Sequence, residues 1–147
     1  MVSLRHFTEK DADVIQRKCY PQLSTDEILN LISEWDTLDH QGRYFEMFAI
    51  ENDGNIVGEI SLYEHTASIA SIGIIMYENE RRKGYAAEAV SLLERHAEEK
   101  GFRVIQSQIA ADNEASRKLF DKLGYENDGY IYRNRKDREV VLYLKVL

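Results

Sequence analysis

Ile28, Leu31, Ile32, Trp35 and Leu38 recur at i, i+3, i+4, i+7 and i+10, just after Ser24-Thr25-Asp26-Glu27. A capping box followed by one apolar stripe predicts a helix over 24–40. Thr8-Glu9-Lys10-Asp11 has the same capping form and predicts a shorter helix near 11–19. Pro21 keeps the two helices apart, because it has no N–H to continue a helical ladder. Ahead of them, residues 2–7 read as a short strand.

The period then changes. Residues 44–50 are apolar and aromatic, Asn52-Asp53-Gly54-Asn55 is a turn, and 56–63 return as the hairpin partner. Residues 67–76, dominated by Ala and Ile, predict a third strand. From 85 to 100 the helical period is back, with Ala86, Ala89, Val90, Leu93 and Ala97 on one face and Glu88, Glu94, Arg95, Glu98 and Glu99 on the other. Gly101 ends that helix. Residues 103–110 form a strand, 113–123 a helix with Leu119, Phe120 and Leu123 inward, and Gly124 a stop. Residues 125–132 and 139–146 read as a closing hairpin around Asn134-Arg135-Lys136-Asp137. The order β-α-α-β-β-β-α-β-α-β-β predicts an α/β (α+β) fold, and the 147 residues are expected to form one domain spanning 1–147.

Composition narrows the classes. The chain is 44% hydrophobic and 31% charged, too apolar for disorder. Its net charge of −7 argues against a nucleic-acid binder, which needs a basic face. A single cysteine, Cys19, excludes an internal disulfide framework and a cysteine zinc cage, and it is expected as a small buried group. No stretch is apolar for long enough to span a membrane, and residues 1–6 lack the apolar core of a signal peptide. The expectation is a cytoplasmic protein with no metal, no nucleic-acid partner and no membrane. The charge is uneven: residues 1–80 carry 5 Lys+Arg and 15 Asp+Glu, and residues 81–147 carry 14 and 11. An acidic half beside a basic one suggests two partners of opposite charge.

The chemistry concentrates in two stretches. Ile72 to Tyr77 is a buried strand leading through Glu78-Asn79-Glu80 into Arg81-Arg82-Lys83-Gly84-Tyr85-Ala86-Ala87 at a helix start. Free N–H groups and the helix dipole make such a start an anion site. Gly84 and Ala86 remove the bulk that would keep a phosphate off the backbone, and the three cations favour one. Neither the Walker spacing nor GxGxxG is present. The second stretch starts at Asn113, an N-cap, and runs through Ser116, Leu119 and Phe120 to Gly124 and Tyr125. Asn113 lies 29 residues after Gly84.

Together these stretches resemble the acyl-coenzyme A signature of the GNAT superfamily of N-acetyltransferases. The family's Q/R-x-x-G-x-G/A pattern appears as Arg81, Gly84 and Ala86. Its N-x-x-A/S-x-x-L-Y/F-x-x-x-G-F/Y pattern appears as Asn113, Ser116, Leu119, Phe120, Gly124 and Tyr125. The resemblance covers residues 56–125 by motif and the whole chain by element order, and Arg81 to Glu88 is similar to the ribosomal-protein N-terminal acetyltransferases. It implies a mixed central sheet of about seven strands with helices on both faces. It also implies a bulge in the strand at 69–77 and a cleft where that strand splays from its parallel neighbour. Acetyl-CoA would lie there as co-substrate. The backbone of Ile74, Ile75 and Met76 would meet the thioester carbonyl and pantetheine arm, with Ile74 contacting the oxyanion. Arg81, Arg82, Lys83, Gly84, Tyr85, Ala86 and Ala87 would hold the pyrophosphate. Asn113, Ser116 and Phe120 would face the pantetheine or thiol end, and Arg117 and Lys118 would add to the anion sites.

The implied reaction is direct transfer of an acetyl group to a primary amine, of a small molecule or of a protein. The alternative is a non-catalytic acyl-CoA-binding sensor. The family's usual proton-transfer positions hold Phe120, Gln108 and Ala70, none of which moves a proton. Glu59 is the first candidate to replace them, in Gly58-Glu59-Ile60 at mid-strand, ahead of Tyr63, Glu64, His65 and Tyr77. Tyr130 and Tyr132 are expected near the acceptor pocket. The acidic 24–40 helix, with Asp26, Glu27, Glu34, Asp36 and Asp39, suggests a cationic acceptor. A homodimer is an assembly common in the family.

Overall fold

A computed structural model describes every residue from Met1 to Leu147. The strands are β1 (Val2–Arg5), β2 (Asp39–His40), β3 (Arg43–Asn52), β4 (Asn55–Glu64), β5 (Ile69–Met76), β6 (Val104–Ala110), β7 (Glu126–Asn127), β8 (Tyr132–Arg133) and β9 (Glu139–Val146). The helices are α1 (Ala12–Lys18), α2 (Thr25–Trp35), α3 (Tyr85–Glu99) and α4 (Glu114–Lys122), with 3-10 turns at Glu9–Asp11 and Glu78–Glu80. The sheet runs β1-β3-β4-β5-β6-β9-β7, with β2 on β3 and β8 on β9. Every pairing is antiparallel except β5 with β6.

Helices cover both faces, and strand alternation divides the side chains between them. Ile50, Ile60, Leu62, Ile72, Ile105, Val141 and Tyr143 pack under α3 and α4 with Val90, Leu93 and Phe120. Ala49, Ile56 and Tyr77 pack on the other face with Ile15 of α1 and Ile28, Ile32 and Trp35 of α2. The middle of β3 and β4 is buried on both faces, which is why these strands read as nearly continuous apolar runs.

Two polar knots fix the edges. Arg5 holds both carboxylate oxygens of Asp11 at 2.8 and 3.0 Å and Glu51 at 2.6 Å, clamping β1 to the first 3-10 turn and to β3. Glu46 is buried under α3, where it accepts from the Tyr44 hydroxyl and meets His6 Nε2 at 2.5 Å and His96 Nε2 at 2.7 Å.

Three expectations need correction. Helix α2 ends at Trp35, and Leu38 takes φ +56 on the surface, so it drops out of the apolar stripe. The strand expected over 125–132 breaks into two short pieces. Between them the side chains of Asn127 and Asp128 accept from the N–H groups of Gly129 and Tyr130, local bonds that compete with a ladder. The expected bulge in β5 is absent: β4 and β5 pair in unbroken register from Gly58↔Met76 to Glu64↔Ala70. The register shift lies in the β3–β4 hairpin, between Ile50 and Glu51.

Candidate active-site cleft

β5 and β6 pair at only three positions, Ile69↔Val104, Ala70↔Ile105 and Ser71↔Gln106. One residue further, the Ser107 hydroxyl donates to the Ile72 carbonyl at 3.2 Å, and pairing stops. The separation opens a cleft of about 450 Å³. In an antiparallel ladder, alternate residues turn their backbone groups to opposite sides. The Ile72 carbonyl faces β6, so Ile74 aims its N–H and C=O groups into the same gap, and Met76 continues that strand edge beyond the cleft. The Met76 carbonyl accepts from Arg81 Nε at 3.2 Å.

The structure brings Glu59, Ile74, Ile75, Asn113, Ser116 and Phe120 together in the cleft wall, along with Ser107, Gln108, Lys136 and Arg138. Met76 and the 81–87 turn do not line it; the turn lies at the end of β5, tethered through Arg81. There Arg82 (φ +65) and Gly84 (φ +84) both take the left-handed conformation, and Gly84 caps α3 with no side-chain acceptor. Successive N–H groups in such a turn form a concave anion nest. A Cβ placed on Gly84 would meet no atom within 4 Å, so the space over the turn is open to a ligand. Lys83 pairs with Glu80 at 3.2 Å and shields part of the cationic cluster. The donor set and the open backbone fit a pyrophosphate.

At the start of α4 the Asn113 side-chain oxygen accepts from the Ser116 N–H at 3.1 Å, which leaves the amide Nδ2 for a ligand. Phe120 is 1% exposed and stands edge-on to Tyr125, ring centroids 4.8 Å apart. Arg117, expected among the anion sites, instead donates to the Tyr143 hydroxyl and the Ala111 carbonyl, both at 3.2 Å.

Glu59 pairs with Ala49 on one side and Ile75 on the other, so it faces α1 and α2. It is 2% exposed. Its Oε1 accepts from the Tyr20 hydroxyl at 2.6 Å, and its Oε2 has no partner. Burial pushes the Glu59 carboxyl above the ordinary carboxylate range, against the opposing pull of the Tyr20 hydrogen bond. Burial, with Glu59 nearby, pushes the half-buried Cys19 thiol up. The Tyr77 hydroxyl, also buried on this face, has no partner. Tyr63, Glu64, His65, Tyr130 and Tyr132 do not line the cleft, and neither do the acidic residues of α2.

Sequence reasoning missed Tyr20, Lys136 and Arg138. Tyr20 sits in an unpatterned connection, and no spacing relates it to Glu59, 39 residues on. For the two cations, the surplus of positive charge after residue 80 was the available signal.

No helix is long and apolar enough to cross a membrane, and no group of three or more His, Cys, Asp or Glu is placed to hold a metal. The family model described as an acetyltransferase (GNAT) domain matches residues 2–126. An uncharacterized N-acetyltransferase of Bacillus subtilis, YycN, is 33% identical over 79 residues, 51% of each chain. A second from the same organism, the prophage-derived YokL, is 27% identical over 105 residues, 69% of this chain and 59% of that one. The matches thus span about half to three-fifths of those relatives. Among solved structures, Mycobacterium smegmatis RimJ in complex with CoA-disulfide superposes with a TM-score of 0.86 at 19% identity, over 99% of this chain and 81% of that one. Vibrio cholerae spermidine N-acetyltransferase with CoA and spermine superposes with 0.81 at 18%, over 99% and 95%. At these identities the likeness is one of fold.

Proposed function

We propose, on the premise that the chain belongs to the acetyltransferase (GNAT) domain family, that it transfers an acetyl group from acetyl-CoA to a primary amine. The observation that carries this reading is the conjunction in one cleft of the unpaired backbone of β5 and a buried carboxylate oxygen without a partner.

Bound acetyl-CoA would supply the acyl group as a thioester. The Arg82 to Ala87 backbone holds the pyrophosphate, and Arg81 keeps that turn against Met76. Asn113 Nδ2 and Ser116 face the pantetheine arm. The neutral amine nitrogen bonds to the acyl carbon, the carbon–sulfur bond breaks with its electron pair on sulfur, and the nitrogen's surplus proton passes through solvent to the thiolate, so that the N-acetyl amine and the CoA thiol leave. The Ile74 N–H faces the gap and donates to the developing oxyanion, which is electrostatic stabilisation by a fixed dipole.

An alkyl ammonium, with a reference pKa of about 10.4, must lose a proton before it attacks. Glu59 Oε2 accepts that proton, and burial strengthens its hold on it. Phe120 offers no hydroxyl to the departing sulfur, so thiolate leaves without a side-chain acid. An alkyl thiolate, with the cysteine side chain's reference pKa of about 8.5 as a guide, is a tolerable leaving group near neutral pH.

The test mixes the protein with acetyl-CoA and a panel of amines, following free thiol and acetylated product together. Equal amounts of both are expected with at least one amine. Acetyl-CoA binding with no release of CoA over any amine would overturn the transfer reading in favour of a non-catalytic acyl-CoA binder.

A further inference from the structure

We infer that the acceptor carries an anionic group, carboxylate or phosphate, beside its amine, and that Lys136 and Arg138 bind it. This rests on the transfer reading above and refines it.

Lys136 and Arg138 belong to the hairpin turn between β8 and β9. One side chain sets that turn: Asn134 Oδ1 accepts from the N–H groups of Lys136 at 3.0 Å and Arg138 at 3.1 Å. The Asn134 amide donates to Gln108 Oε1 at 3.1 Å and so fastens the turn to β6 at the cleft edge. Both cations line the cleft that holds Glu59. Neither has a carboxylate of this chain within bonding distance. The acids flanking them are engaged elsewhere: Arg133 pairs with Asp137 at 3.1 Å and Glu139 at 3.6 Å.

Arg138 also lies on the acceptor's side of the sheet. Val141 and Tyr143 point under α3 and α4, so Val140 lies on the opposite face, the face that carries Glu59. Arg138, two residues earlier, falls in register with Val140. The phosphate-binding turn at 82–87 is a separate element at the start of α3 and does not line this cleft.

The cleft therefore has a negative floor and a positive rim. Glu59 is the only carboxylate in its wall, and its Oε2 is buried and unpartnered. A polycation would satisfy the floor and be repelled at the rim. An amine that also bears an anion complements both, with the ammonium on Glu59 and the anion on Lys136 and Arg138 through charge-assisted hydrogen bonds. The cationic acceptor expected from the acidic half of the sequence becomes a zwitterionic one.

The test compares kcat/KM within pairs differing in the anion: glycine against glycinamide, β-alanine against its amide, and O-phosphoethanolamine against ethanolamine. The double variant K136Q/R138Q is run beside the native chain, with acetyl-CoA affinity measured calorimetrically for both. The native chain should favour the charged member of at least one pair by about tenfold or more, and the variant should lose that preference while binding acetyl-CoA with the same Kd. The carboxylate and phosphate pairs show which anion is read. Acetylation without preference, or a preference that survives in the variant, overturns the inference and leaves the transfer reading standing. A raised Kd for acetyl-CoA with the preference intact assigns the cations to the cofactor and also overturns it. Acetyl-CoA binding with no acetylation of any amine overturns the transfer reading, and this inference with it.

Discussion

The Tyr20 hydroxyl donates to Glu59 Oε1 at 2.6 Å, so the turn between α1 and α2 reaches the middle of β4. This bond leaves Oε2 as the free oxygen and holds it in one orientation. It also favours the charged carboxylate, opposing burial. Tyr20→Phe should lower kcat/KM by about tenfold, a part of the roughly hundredfold or more that a positioned base contributes. The acid limb of the pH profile should move to higher pH, because the charged form loses a donor. A purely structural role would lower activity without moving that limb.

Glu59 also links function to stability. A carboxyl whose pKa is raised on folding binds its proton more tightly folded than unfolded. Stability contributed by the protonated form is complete in acid and is lost as pH climbs past the unfolded value of about 4.3. Glu59→Gln keeps an acceptor for Tyr20 and carries no charge. Its Tm should exceed that of the native chain near neutral pH, with the gap closing in acid, while turnover falls by about a hundredfold or more. Thermal melts across pH, beside rate measurements, check both halves.

At Gly84, φ +84 is costly for any residue with a Cβ, yet no atom of the chain would touch that Cβ. Gly84→Val should therefore cost about 1–2 kcal/mol of stability, a Tm drop of about 2–8 °C for a chain of this size. Acetyl-CoA affinity should fall much further, by about a hundredfold, because the side chain occupies the space over the anion nest. Calorimetry on the folded variant separates the two effects, and an unchanged Kd would place the pyrophosphate elsewhere.

Asn113 combines a cap with a free amide. Asn113→Asp retains the acceptor for the Ser116 N–H and puts a negative charge at a helix start, where the dipole favours it. Tm should hold or rise while the Kd for acetyl-CoA increases. Asn113→Ala should lose about 1 kcal/mol of stability as well.

Glu46 has the opposite titration to Glu59. Burial pushes it up, but hydrogen bonds from Tyr44, His6 and His96 outweigh burial and hold it below the ordinary range. Its stabilisation is present above the unfolded pKa and is lost as pH falls through the folded one. Glu46→Gln should lower stability near neutral pH by about 1–3 kcal/mol, and the difference should shrink in acid.

Much of this architecture could be read from the chain, because its signals are local. Capping boxes, the stripe of α2 from Ile28 to Trp35, and the glycine stops at Gly101 and Gly124 each mark a boundary within one turn of themselves. The same locality explains the misses. The short bonds of Asn127 and Asp128 broke a strand that the apolar pattern had drawn whole. Of the candidate site, the glycine turn before α3, the Asn113 cap and the mid-strand position of Glu59 were legible, because each is encoded in contiguous residues. The Tyr20 bond and the Lys136 and Arg138 rim depend on sheet order, which joins residues 39 and more positions apart and leaves no spacing rule along the chain.

Three residue pairs, the Ser107 hydroxyl and a bond from the Gln106 amide to Ser71 Oγ hold β5 to β6, all near the start of β5, so the sheet has a seam. To one side lie β1, β3, β4 and β5, and to the other β6, β9 and β7, joined mainly by the core beneath α3 and α4. Local opening follows regions of few backbone bonds, so hydrogen exchange on the two flanks should report two separate cooperative blocks. A molecule lying in the gap and bonded to both flanks acts as a suture. Occupancy and cooperativity then rise together, and the two blocks exchange as one when it is bound.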